Sequence, residues 1–162
     1  MLVALRFVAL LATALLMSLT WAHVWQLPPR MDYDGVFWFE TLSMYREFGP
    51  EGAGPAVEIA ALLAVGALAL LERSRTLRAG ARIAFLCLAA SFAAWWLGVR
   101  PVNVVMTDWN AAALPSDWTW YRMRWEHTHA ARALAVALGF AALVLSLLVD
   151  AERARPSVVR SH

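Results

Sequence analysis

The chain has 162 residues, 61% of them hydrophobic and 16% charged, with a mean hydropathy of +0.56. A soluble domain carries roughly 25% charge, so this composition excludes an ordinary water-soluble globule, and the apolar residues fall in blocks that point to membrane spans. The net charge of +2 comes without a basic stripe interleaved with aromatics, which excludes nucleic-acid binding, and the single cysteine, Cys87, excludes an internal disulfide and any CxxC chemistry.

Four apolar runs follow in order, and the length suits one domain of four spans. The first covers about residues 3–25 and is broken only by Arg6. It is longer than the apolar core of a signal peptide, and no small-x-small cleavage site precedes Trp25, so it reads as a span. The second predicted span is 55–71, opened by Gly54-Pro55 as N-cap and first helical position. The third is 83–99, followed by Arg100-Pro101, and the fourth is 128–149. Helices are the expected spanning structure, because a backbone in lipid must satisfy its own hydrogen bonds. Small residues crowd spans two and three (Ala60, Ala61, Ala64, Gly66, Ala67; Ala89, Ala90, Ala93, Ala94) and suggest close helix contact. The expected fold is all-α, an integral membrane four-helix bundle.

The connections set the orientation. Eight arginines, at 6, 73, 75, 78, 82, 153, 155 and 160, stand against Glu72, Asp150 and Glu152 on one side, a net of +5; the other side has six arginines against nine acids, a net of −3. The positive-inside rule then puts both termini in the cytoplasm, and the expected location is a bacterial inner membrane with the arginine-rich side facing inward. The two outer segments, 26–54 and 100–127, are rich in Trp, Tyr and Phe. They predict an aromatic extracytoplasmic cap, with a short interfacial helix over 36–48 in which Phe37, Thr41, Met44, Tyr45 and Phe48 share a face. An aromatic belt at the headgroups accounts for such segments, and so does a belt that also forms a lid over a ligand.

A polar residue sits at the same end of each span: His23, Glu58, Asn103 and His129. Alternating topology brings these four ends together, and bundle sites are built from facing helices. Trp125, His129 and Arg132 follow at i, i+4 and i+7 and so share one face. An arginine within a span needs a partner, and Glu58 is available. Two imidazoles and a carboxylate, His23, Glu58 and His129, are also a plausible ligand set for one transition metal, although their spacing matches no named metal motif. The cofactor is open: none, or a single metal.

Several short motifs carry a resemblance. They are His23-Val24-Trp25-Gln26-Leu27-Pro28-Pro29-Arg30, Tyr45-Arg46-Glu47-Phe48-Gly49 with Glu58, Arg100-Pro101-Val102-Asn103, and Trp125 to Arg132 in the pattern W-x-x-x-H-x-x-R. In order and spacing the chain resembles the anthrone oxygenase-like membrane proteins over about residues 5–150. Gln26 stands where that family often has Glu. The resemblance implies four spans and, for some members, oxidation of anthrones to anthraquinones by dioxygen.

Two functions stay open at this stage. The first is an oxygenase-like enzyme acting on a hydrophobic aromatic substrate. It would use His129 or His23 as base, Arg132 and Asn103 as oxyanion partners, Glu58 to orient a histidine, and Trp125, Trp120, Tyr45 and Gln26 against the substrate. The second is a non-catalytic membrane protein that binds a lipid or quinone, or serves as a subunit of an assembly. Expected partners are a hydrophobic aromatic or lipid-like small molecule and membrane lipids; an oligomer is open. Transport is weaker, because the chain shows no inverted repeat.

Overall fold

The computed structural model describes residues 1–44 and 53–154. Its elements are α1 (Leu2–Asp32), α2 (Gly35–Ser43), α3 (Ala53–Leu71), α4 (Arg75–Ala94), a π-helical turn (Trp95–Val99), α5 (Arg100–Met106) and α6 (Trp118–Ala154). No strand occurs among the described residues; there is only an isolated bridge between Asn110 and Ala113. Four helical stretches are long and apolar enough to cross a membrane: Leu2–Asp32, Gly54–Leu71, Arg75–Met106 and Trp118–Ala154. The architecture is thus an all-helical bundle compatible with an integral membrane protein. Its long helices pack in the ring order α1, α3, α4, α6.

Three of the four helical stretches outrun the apolar stretches that predict them. A span needs about 20 residues, and α1 has 31 and α6 has 37. α1 runs straight through Pro28 and Pro29, and closes at Tyr33, whose backbone turns extended. The end of that helix leaves carbonyls without intrahelical donors. Arg122 of α6 supplies one: its Nη1 donates to the carbonyls of Tyr33 at 2.7 Å and Arg30 at 3.4 Å.

A second arginine does the same work in the third span. Pro101 has no N–H, so the carbonyl four residues earlier, on Leu97, loses its usual donor. The helix answers with the π turn over 95–99 and continues to Met106, and Arg124 Nη2 donates to Leu97 O at 2.6 Å. Asn103 therefore lies within a helix.

Small side chains set the helix separations, though on fewer positions than their abundance suggests. Ala61 and Ala64 are buried, whereas Ala60, Ala90 and Ala93 face outward. The closest approach is between α4 and α6. A Cβ on Gly80 would lie 2.3 Å from Ser146 Oγ and 2.9 Å from the Ala142 carbonyl, and one on Gly98 would lie 2.6 Å from Thr128 Cγ2. The central core gathers Leu16, Val65, Leu68, Ala84, Leu88, Val136 and Leu143.

A separate aromatic cluster stands at one end of the bundle. Asp34 caps α2 by accepting from Phe37 N at 2.9 Å. α2 then buries Trp38, Phe39 and Leu42 against Val99, Val102, Met106 and Trp125. Within the helix expected over 36–48, the face shared by Phe37 and Met44 points outward, and the adjoining face is the packed one. Tyr45 and Phe48 lie outside the described residues.

Candidate functional site

The helix ends bring a polar core together beneath the aromatic cluster. Glu58 of α3 and Arg132 of α6 are both buried and form an ion pair; Arg132 Nη2 donates to Oε1 at 3.0 Å and Oε2 at 2.9 Å. Ser91 of α4 closes the triangle: its hydroxyl donates to Glu58 Oε1 at 3.4 Å and its carbonyl accepts from Arg132 Nε at 3.2 Å. Three helices are thereby tied by one buried charge pair with its remaining polar atoms partly satisfied. A lone charge at this depth would be costly, which is why each member needs the other.

His129 lies one turn before Arg132, with Nδ1 3.5 Å from Arg132 Nη1. A donor opposite Nδ1 favours the tautomer that carries its proton on Nε2. The ring stacks on His23 of α1, with centroids 3.9 Å apart and planes 24° from parallel. Trp125 packs against both imidazoles, at 4.1 Å from His129 and 5.3 Å from His23, and its Nε1 donates to Asn103 Oδ1 at 2.8 Å. His23 Nδ1 is buried and has no hydrogen-bond partner among the described residues.

Of the residues expected to converge, His23, Glu58, Asn103, Trp125, His129 and Arg132 do. The Glu58 carboxylate contacts Arg132 and Ser91, the expected pairing with the arginine. Both of its oxygens accept from Arg132, and among the described residues no group of three His, Cys, Asp or Glu side chains is placed to hold a metal ion. Gln26 is bound to Arg30 through its side-chain oxygen. Trp120 is 52% exposed, packed on Tyr121 and beneath Arg124, and faces away from the imidazoles. Tyr45 lies outside the described residues.

A second buried pair was not anticipated from the sequence. Arg30 and Glu126 are 2% and 0% exposed, with Arg30 Nη1 3.5 Å from Glu126 Oε2. Trp38 Nε1 donates to the other oxygen of Glu126 at 3.0 Å, which fastens α2 to α6. The Arg30 guanidinium also lies over the Trp125 ring at 5.5 Å. Trp125 thus lies between the Arg30 guanidinium and the His129 ring, which in turn neighbours Arg132. Periodicity holds a signal for both. Arg30 falls two turns after His23, and Glu126 three residues before His129.

The grooves lie elsewhere. One of about 640 Å³ is lined by Met17, Ser18, Trp21, Ala22 and Trp25 of α1 with Ala137 of α6. Another, of about 390 Å³, runs between α3 and α4. Neither is lined by the imidazoles or the buried ion pairs. The chain matches no protein-family model, no curated protein and no solved structure.

Proposed function

We propose that this chain is an integral membrane protein of the cytoplasmic membrane, with both termini inside, and that it is an oxygenase-like enzyme for a hydrophobic aromatic substrate. Support for the reaction comes from one observation above the rest: two stacked imidazoles, one with a buried unpaired ring nitrogen, beside a buried arginine. Imidazole is the side chain that accepts a proton near neutral pH. In this reading the aromatic cluster and α2 form the extracytoplasmic cap.

The chemistry is that of an anthrone-like carbon. A histidine takes a proton from the doubly benzylic C–H, and the carbanion, delocalised onto the carbonyl oxygen, reduces dioxygen, forms the C–O bond and regains the proton from the histidine on the outer oxygen. The resulting hydroperoxide loses water. The carbon becomes a carbonyl, one oxygen atom ending in the product and the other in water. Arg132 supplies positive charge near the developing enolate oxygen, held in place by Glu58, and Asn103 positions Trp125 as a wall against the substrate. Substrate entry requires the outer residues to part, since the imidazoles are packed closely.

The test is oxygen uptake and quinone formation from an anthrone by the purified protein in lipid nanodiscs. The reading predicts a rate above the spontaneous oxidation, reduced roughly 100-fold or more in His129→Gln or His23→Gln. A rate equal to buffer alone would overturn it. A second reading, ligand binding without turnover, is favoured by the 640 Å³ groove, whose walls include two tryptophans. Saturable binding of a quinone without turnover, lost in Trp21→Ala but not in His129→Gln, would select it.

A further inference from the structure

The arginines of the +5 face are not equivalent. Arg6 pairs with Glu72, Arg78 Nε donates to the Glu72 carbonyl at 2.7 Å, and Arg153 donates to Thr76 Oγ1 at 2.7 Å. Arg82 differs in both depth and partners. It lies two turns into α4, about 10 Å along the helix from its start, on the outward face. None of the three ion pairs among the described residues includes it. An arginine within a span normally turns into the bundle or finds a counter-charge, and the bundle interior is not where this one points.

Beside it lies the 390 Å³ groove. Apart from Arg82 its walls are wholly apolar, formed by Gly66, Ala69 and Leu70 of α3 and Phe85 and Leu86 of α4. Its rims are open to the surroundings, with Leu70 81% and Leu86 67% exposed. Gly66 keeps it open on one side: a Cβ there would approach the Phe85 ring at 3.2 Å. The combination is a cationic head position above an apolar trough, at the arginine-rich end of the bundle. That is the form of an anionic amphiphile with a phosphate at one end and a hydrocarbon chain at the other.

We propose that the α3–α4 groove binds one anionic phospholipid of the arginine-rich leaflet, its phosphate on Arg82 and an acyl chain along Gly66, Ala69 and Phe85. The inference rests on the membrane reading and not on the oxygenase reading.

The experiment is native mass spectrometry of the full chain in detergent, titrated with phosphatidylglycerol or with phosphatidylcholine of the same acyl chains. The wild type should hold one phosphatidylglycerol roughly five- to tenfold more tightly than phosphatidylcholine, the scale of one well-placed arginine. Arg82→Gln should bring the two lipids level, Arg82→Lys should keep most of the preference, and Gly66→Leu should weaken both lipids by filling the trough. Arg75→Gln, which removes an equal charge from the first residue of α4, should change binding less than twofold. Equal binding of the two lipids by the wild type would overturn the proposal whatever the variants do. So would a preference unchanged in Arg82→Gln, or one lost equally in Arg75→Gln, which would mean diffuse attraction to the whole basic face.

Discussion

Both ends of the bundle are closed by an arginine–glutamate pair, and the two pairs are nearly identical in length: Arg6–Glu72 at 2.8 Å and Arg132–Glu58 at 2.9 Å. They lie about 20 Å apart along α3. What separates them is the water that reaches the arginine. The Arg6 side chain is 29% exposed although Glu72 is only 1% exposed, and Glu72 also accepts from the backbone N–H groups of Arg73 and Ser74. The Arg132 and Glu58 side chains are 7% and 5% exposed, in the middle of three helices. The same chemical pair is a helix-connection clamp in one place and a buried obligation in the other. The end that carries the imidazoles is thus the end where both charges of the pair have been taken out of water, a desolvation that only their mutual contact and hydrogen bonds offset.

That contrast is broken most directly at Glu58. Removing one partner of a buried pair leaves an uncompensated charge, and the expected cost of Arg132→Met or Glu58→Met is about 3–5 kcal/mol. The double variant Glu58→Met with Arg132→Met should cost far less than the sum, because no orphan charge remains. Equilibrium unfolding of the four proteins in mixed micelles measures the cycle. Additive losses would mean that the pair is not coupled and that the end is wetter than its burial indicates.

The spans were legible because lipid imposes a simple rule: about 20 apolar residues per helix. The meeting of His23, Glu58, Asn103 and His129 was legible for the same reason, since alternating crossings put those ends on one side. Arg30 and Glu126 were not. Pro28-Pro29 reads as the end of a helix, which leaves Arg30 in a connection; the helix passes through both prolines and carries Arg30 back toward His23 and Trp125. Glu126 was visible as part of a motif, but its contacts with Trp38 and Arg30 span 88 and 96 positions and depend on how α2 seats on α6. Side-chain packing decides that, and no local pattern encodes it. Glu58 was legible as a partner for Arg132, because an arginine in a span needs one; that its carboxylate meets Ser91 as well depends on helix rotation.

A smaller effect sharpens the comparison within the polar end. Trp125→Phe keeps the ring against the imidazoles but removes the donor to Asn103, so a loss of about 1–3 kcal/mol is expected for leaving that oxygen unpaired. Trp120→Ala, at an exposed ring on the same helix, should stay within about 0.5 kcal/mol and leave turnover unchanged. Equal losses at the two tryptophans would remove the distinction between the site wall and the outer aromatic surface.

The smallest effect belongs to the other end and is read through pH. The hydrogen bond from Arg6 holds the Glu72 carboxyl down at about 2, against an ordinary value of 4.5, with burial opposing and the N–H groups of Ser74 and Arg73 assisting. A carboxyl whose folded value is depressed adds stability that is fully present above its unfolded value and disappears as the pH falls through the folded one. Near neutral pH, Glu72→Gln should therefore cost only about 1 kcal/mol or less, as a partly exposed pair allows. The difference between wild type and variant should narrow as the pH falls from about 4.5 toward 2, and should shrink in high salt because Arg6 is open to solvent. Thermal unfolding of both proteins across that range gives the curve. A difference that stayed constant with pH would show that Glu72 acts through its shape and backbone contacts, and the two ends of the bundle would then differ in chemistry as well as in exposure to water.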